Sequence, residues 1–158
     1  MKKEKKQEFT LRITGANKTQ LVVILYDMIL TYLEDSLEAF EKADYECFRW
    51  NIERAKDCID ELLNSLHMRY EIAGVLKGLY FFYKRELTSA GIQRNKEKIV
   101  SVMKMIQELK ESYEQIAVQD TSAPIMENAQ MVYAGLTYGK DSLNVNLSDQ
   151  GTNRGFCV

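Results

Sequence analysis

The chain has 158 residues, of which 46% are hydrophobic and 28% charged, and this size and composition predict a single domain with one buried core. Its formal net charge of -2 at pH 7 argues against the basic field of a nucleic-acid-binding protein. The longest unbroken apolar run, residues 21–26, is far shorter than the roughly 20 residues of a membrane-spanning helix. No apolar stretch follows the basic residues at the start, so a secretion signal is not predicted. We therefore expect a cytoplasmic protein without membrane insertion.

Long apolar patterns of helical period occupy the sequence before the single proline, which lies near its C-terminal end. The first predicted helix runs from residue 17 to about residue 43. Asn17 is placed to cap this helix, and Gln20 is placed to complete a capping box. The second predicted helix is capped by Asp44 and ends near His67.

The third predicted helix covers residues 70–90 and ends where Gly91 can adopt the left-handed conformation. Its predicted inward stripe consists of Ile72, Val75, Leu76, Leu79, Tyr83 and Leu87. A fourth helix is predicted to begin after Asn95. Because the connections are short, neighbouring helices must be antiparallel. The sequence therefore predicts an all-α fold, in which residues 17–118 form an up-down-up-down four-helix bundle.

The two ends of the chain differ in character from this bundle. Residues 1–16 are predicted to be a flexible N-terminal arm. Residues 119–158 contain half of the eight glycines and are predicted to be a C-terminal extension with an irregular tail. Within the extension, a short extra helix is predicted near residues 124–134, because one face would be apolar and glycine follows it.

The sequence offers no arrangement of residues typical of an active site. His67 is the only histidine, and the residue three before it is asparagine, so the Glu-x-x-His pairs of a di-metal bundle are absent. One histidine gives no support to a nucleophile and base pair, and no glycine-rich phosphate loop occurs. We expect no catalytic, cofactor-binding or metal-binding residues, and a protein that is not an enzyme.

The predicted helices carry more apolar surface than one bundle interior can bury. Residues 21–30 are apolar nearly all the way round the first helix, and Tyr80, Phe81 and Phe82 add aromatic faces to the third. Such a surplus predicts a protein-binding groove, into which a partner helix can dock. Alternatively, the terminal segments cover the surplus in the free protein. The two are compatible if a partner displaces a covering segment.

Three apolar residues just before the first predicted helix could form this cover, namely Phe9, Leu11 and Ile13. Asp27 lies inside the apolar run, where an unpaired charge would be costly. We therefore expect water or a cation beside it, such as Arg85 or Arg69.

Residues 16–27 read Ala-Asn-Lys-Thr-Gln-Leu-Val-Val-Ile-Leu-Tyr-Asp. This string resembles the pattern Ala-Ser-Pro-Glu-Glu-Leu, a few apolar residues, and Leu-Tyr-Asp-Gly of the family of flagellar export chaperones called FliS. Residues 71–87 resemble its Glu-Ile-Ala, Leu, Leu-Tyr-x-Tyr, Arg-Arg-Leu. The sequence departs from these patterns at Lys18, Met28, Phe82 and Glu86.

This resemblance implies a cytosolic chaperone that holds the disordered C-terminal segment of flagellin, prevents premature polymerisation and delivers flagellin to the type III export gate. It also implies that the N-terminal segment covers part of the groove until flagellin replaces it. The residues that it implies for partner binding are Leu21, Ile24, Leu25, Tyr26, Tyr80 and Phe82. The free protein is expected to be a monomer or a weak homodimer.

The sequence leaves two questions open, one about function and one about the C-terminal extension. The alternative to the chaperone function is a structural or regulatory helical bundle that self-associates through its surplus apolar face. The extension after residue 118 is either a strap that lies in a groove and competes with the partner, or a flexible tether.

Overall fold

A computed structural model describes residue 1 and residues 3–126 of the chain. Within these residues the secondary structure is entirely helical. The helices are α1 (Lys3–Thr14), α2 (Lys18–Glu41), α3 (Tyr45–Ser65), α4 (Glu71–Gln93) and α5 (Lys96–Gln119).

Helices α2 to α5 form the four-helix bundle that the sequence predicts. Helix α2 packs against α3 and α5, and α4 closes the bundle by packing against the same two helices. The interior holds aromatic and branched side chains from all four helices, which are no more than 2% exposed and include Tyr26, Ile29, Leu33, Phe48, Ile59, Leu62, Tyr80, Tyr83, Leu87, Ile99 and Ile106. The fold class is therefore all-α, as predicted.

Side-chain caps set the starts of three bundle helices. Asn17 accepts a hydrogen bond from the Gln20 amide, and the Gln20 side chain accepts one from the Asn17 amide, which completes the capping box of α2. Asp44 caps α3 and Asn95 caps α5 in the same way, each accepting from an amide three residues later. All three predicted caps are confirmed.

The prediction for α4 is wrong in two respects. The helix continues through Gly91 to Gln93, and Arg94, with φ 52°, adopts the left-handed conformation instead. Gly91 lies where α4 approaches α3, since a Cβ there would be 3.6 Å from the Cδ1 atom of Ile52. The buried stripe is also rotated: Ile72 and Val75 are more than half exposed. The buried residues of α4 are Ala73, Leu76, Tyr80, Tyr83, Leu87 and Ala90.

The N-terminal segment predicted as a flexible arm forms the helix α1, and this helix packs on α2. At the other end, residues 120–126 continue beyond α5 without helix. The short helix predicted near residues 124–134 is not formed by its first three residues, and the rest of it lies outside the described part of the chain.

Candidate protein-binding groove

A small apolar cluster lies between α1 and α2, beside the main core. Its buried members are Phe9 from α1, Ala16 from the link between the helices, and Ile24 from α2. Around them pack the partly buried side chains of Met1, Ile13, Leu21 and Met28. Helix α1 thus covers an apolar strip of α2 at the border of the bundle, in which Ile24 lies outside the main core while Leu21 and Met28 also pack against it.

Helix α1 attaches to this strip through one narrow face. Phe9, Arg12 and Ile13 are three or four residues apart, so a helix places them on the same side. Phe9 is 6% exposed and is the one buried residue of α1. Most of the remaining residues of α1 are charged or polar and exposed, so Phe9 makes the main buried apolar contact of this helix.

An ion-pair bridge connects α1, α2 and α5 at the edge of the cluster. The carboxylate of Asp27 lies 2.6 Å from the Arg12 guanidinium and 2.7 Å from the Lys110 ammonium. The hydrogen bond to Asp27 raises the pKa of Lys110, because it favours the charged form of the amine. Asp27 therefore has a cation on each side, and one of the two belongs to α1.

A groove of about 410 Å³ opens beside this bridge, between α1, α2 and the C-terminal part of α5. Its lining residues are Arg12, Ala16, Gln20, Val23, Ile24, Glu114, Ala117 and Val118. The Val118 side chain is 85% exposed, which leaves part of the apolar lining open to solvent. This groove and the strip beneath α1 form one continuous surface, because Ala16 and Ile24 belong to both.

Comparison with known proteins connects this architecture to a flagellar family. Residues 1–120 match the family described as flagellar protein FliS. The chain belongs to the FliS family. A relative called flagellar secretion chaperone FliS, from Bacillus subtilis (strain 168), is 22% identical over 103 residues, which are 65% of this chain and 77% of the relative. The match of the family includes α1 as well as the bundle.

Two of the residues that the FliS resemblance implied for partner binding lie at the groove. Ile24 is 4% exposed and packs under Phe9, and Leu21 is partly buried beside them. Both would become accessible if α1 moved away. Met28 belongs to the same strip, and sequence reasoning missed it, although it lies one helical turn beyond Ile24.

Three other residues of that set lie in the bundle core instead. Leu25, Tyr26 and Tyr80 are 8%, 0% and 1% exposed. The hydroxyl groups of the two tyrosines are hydrogen-bonded at 2.5 Å. Burial raises the pKa of both, and that of Tyr80 to about 12, because desolvation disfavours the phenolate. A partner could not contact these side chains unless the bundle opened.

Phe82, the sixth residue of that set, belongs to α4 and lines neither the groove nor the strip under α1. It is partly buried against the core, and the Arg85 guanidinium lies over its ring at 5.3 Å from the centroid. Neighbouring Phe81 is 53% exposed. Helix α4 therefore exposes some apolar surface of its own, separate from the strip under α1.

The predicted cover and the predicted partner of Asp27 need correction. Phe9 and Ile13 cover the strip, but Leu11 is 51% exposed, because a helix turns it about 200° away from Phe9. Arg85 and Arg69 do not pair with Asp27; Arg12 and Lys110 do so. Arg12 could have been predicted as a partner of Asp27 only if α1 had been predicted as a helix, because a helix places Arg12 on the same face as Phe9.

The described residues carry few signs of other chemistry. No group of three His, Cys, Asp or Glu side chains among them is arranged to hold a metal ion. His67 is exposed and lies just beyond the end of α3. In the same part of the chain, no helix has the length and apolar character needed to cross a membrane.

Proposed function

We propose that this chain is a cytoplasmic flagellar secretion chaperone that binds the disordered C-terminal segment of flagellin on the apolar strip now covered by α1. Binding would keep flagellin from polymerising prematurely and would hold it ready for delivery to the type III export gate. The proposed function is non-catalytic. Membership of the FliS family and the name of the Bacillus subtilis relative support it.

The observation that carries this proposal is that α1 has the properties of a replaceable cover. It has 12 residues, and a helix of that length is only marginally stable in water by itself. Its one buried side chain, Phe9, packs on residues of a satellite cluster and not on the main core. Removing α1 would therefore leave the four-helix bundle largely intact and expose Ile24, Leu21 and Met28.

The chemistry expected of the occupant follows from the contacts that α1 makes. An amphipathic client helix with apolar residues three or four apart can take the places of Phe9 and Ile13. A basic residue one turn away can replace Arg12 at Asp27, which keeps Lys110 as its second partner. Flagellin would gain helix as it docks, and α1 would lose its contacts with α2.

A titration with the C-terminal segment of the cognate flagellin tests the proposal. We expect a one-to-one complex by calorimetry and an increase in helix content by circular dichroism. Ile24→Asp should abolish the complex, because it places a charge in the strip, while the main core does not depend on this side chain. Val100→Asp is a matched control, since Val100 is 54% exposed on α5.

Failure of the wild-type chain to bind the segment, or equal binding by Ile24→Asp, would contradict the proposal. The rival function, self-association of a structural bundle, draws support from the exposed apolar residues Ile72, Val75 and Phe81 on α4. Sedimentation equilibrium separates the two: the rival requires stable oligomers of the free chain that Phe81→Ser disrupts. The chaperone requires only a monomer or a weak homodimer.

A further inference from the structure

The segment that follows α5 lies against the start of α2, near the N-terminal end of the chain. Residues 120–126, called the strap below, pass over the link between α1 and α2. The backbone amide of Ile125 donates a hydrogen bond to the carbonyl oxygen of Ala16 at 3.0 Å. The Asn17 side-chain amide donates to the Asp120 carbonyl at 3.1 Å, and the Thr19 hydroxyl donates to the Asp120 carboxylate at 2.5 Å.

These contacts fix the strap at both of its ends. Near α5, the Asp120 carboxylate also accepts a hydrogen bond from the Ser122 amide at 3.0 Å, which shapes the turn out of the helix. The hydrogen bonds from Ser122 and Thr19 lower the pKa of Asp120. At its far end, the strap holds a backbone carbonyl of the α1–α2 link. The Ile125 side chain is 49% exposed, so the strap acts here through its backbone and not by filling the groove.

The link that the strap holds is the hinge on which α1 must turn. It consists of Gly15, Ala16 and Asn17. Asn17 is already fixed as the cap of α2, and Ala16 is 3% exposed beside Phe9. Nothing lies within 4 Å of the position that a Cβ would occupy on Gly15. With the strap in place, Gly15 is the one residue of the link that is held neither by the strap, nor by the cap of α2, nor by the apolar cluster.

We propose that the strap is an autoinhibitory latch that holds α1 over the groove by immobilising Ala16. This inference rests on the proposed role of α1 as a replaceable cover. A hinge reduced to one residue gives the released α1 fewer conformations, and the loss of conformational entropy disfavours release. Moving Ala16 would in addition break the hydrogen bond from Ile125. The strap thus increases the free energy that client binding must supply to displace α1.

Two substitutions loosen the strap without touching the cluster. Ile125→Pro removes the amide that binds Ala16, and Thr19→Val removes the hydroxyl that binds Asp120. Thr19→Ser combined with Ile125→Ala is the matched control, because it retains both donors. A hydrogen bond of ordinary net strength corresponds to a factor of about five in an opening equilibrium. We therefore expect hydrogen exchange of the α1 amides to accelerate about five- to twentyfold in the double variant.

The latch predicts this acceleration in α1 but not in the central turns of α2, and none in the control. Equal acceleration of both helices, or unchanged exchange in α1, would overturn it. The second measurement is the dissociation constant for the flagellin segment, which should fall by a similar factor. In a Phe9→Ala background, where α1 is already released, loosening the strap should change this constant no further.

The two measurements separate the latch from the proposed function. Hydrogen exchange requires no client, so faster exchange in α1 without binding of flagellin by any variant would support the latch and contradict the chaperone function. If flagellin binds tightly but hydrogen exchange in α1 does not change when the strap is loosened, the chaperone function is supported and the latch is contradicted.

Discussion

Truncating Phe9 to alanine should release α1 while leaving the bundle folded. The Phe9 ring is 6% exposed and anchors α1 to Ile24 and Ala16. Removing a buried phenylalanine side chain costs about 3–5 kcal/mol. The lower value applies here, since α1 is a peripheral helix that packs mainly on one neighbour. A loss of about 3 kcal/mol shifts the docking equilibrium of α1 about 100-fold toward the released state.

This release should appear as a gain in affinity for the client. Apparent affinity is the intrinsic affinity reduced by the fraction of molecules in which the site is open. If α1 is docked in nearly all wild-type molecules, Phe9→Ala should lower the dissociation constant for the flagellin C-terminal segment by up to about 100-fold. The measurement is isothermal titration calorimetry, with hydrogen exchange to report α1 docking directly.

Leu11→Ala is the matched control for this experiment. It truncates a large apolar side chain in the same helix, but Leu11 is 51% exposed on the opposite side. Its effect on α1 docking and on client affinity should be small. Release of α1 by Phe9→Ala without tighter binding of flagellin than in the wild type would contradict the proposed role of α1 as a cover. Equal effects of Leu11→Ala and Phe9→Ala would contradict it as well.

Four further predictions concern the bundle and its connection to α1. Tyr80→Phe should destabilise the fold by about 1–3 kcal/mol by leaving the buried Tyr26 hydroxyl unpaired, and adding Tyr26→Phe should recover part of this in urea unfolding. Because these tyrosines stay protonated in the fold and ionise near pH 10 when unfolded, they should lower wild-type stability by about 1.4 kcal/mol per pH unit and tyrosine between pH 10 and 12, and the double variant should lose this part of the slope. Gly91→Ala should raise the stability by about 0.5–1 kcal/mol, because the position is helical and the new methyl group would meet Ile52 at an ordinary contact distance; an unchanged or lower urea midpoint would contradict this. Asp27→Asn should weaken α1 docking by removing both ion pairs, and hydrogen exchange in α1 that matches wild type would count against the bridge.

Local sequence signals predicted most of the bundle correctly. Asn17, Asp44 and Asn95 cap helices where short polar side chains precede apolar periodicity, and their hydrogen bonds reach only three residues along the chain. Such bonds are available before any tertiary contact forms. The starts of these helices, and the antiparallel order that short links impose, follow from the same local information.

The buried face of α4 could not be read from its own sequence. Ile72, Val75, Phe81 and Tyr80 are all apolar or aromatic, so the helix has more than one candidate stripe. The hydrogen bond between the Tyr80 and Tyr26 hydroxyls and the approach of Gly91 to Ile52 select one of them. Both contacts join residues far apart in sequence, and this is why Tyr80 was predicted at the groove and lies in the core.

The groove, too, could be predicted from the sequence only in part. The sequence alone determined that residues 21–30 carry more apolar surface than one interior needs, because hydrophobicity is a property of the side chains. Only the tertiary structure decided that α1 is helical and docks through Phe9, that Arg12 and Lys110 flank Asp27, and that the strap reaches Ala16. A 12-residue polar helix lacks the internal stability to specify itself. Its structure depends on contacts with α2, and the chain can make those contacts only after the bundle has formed.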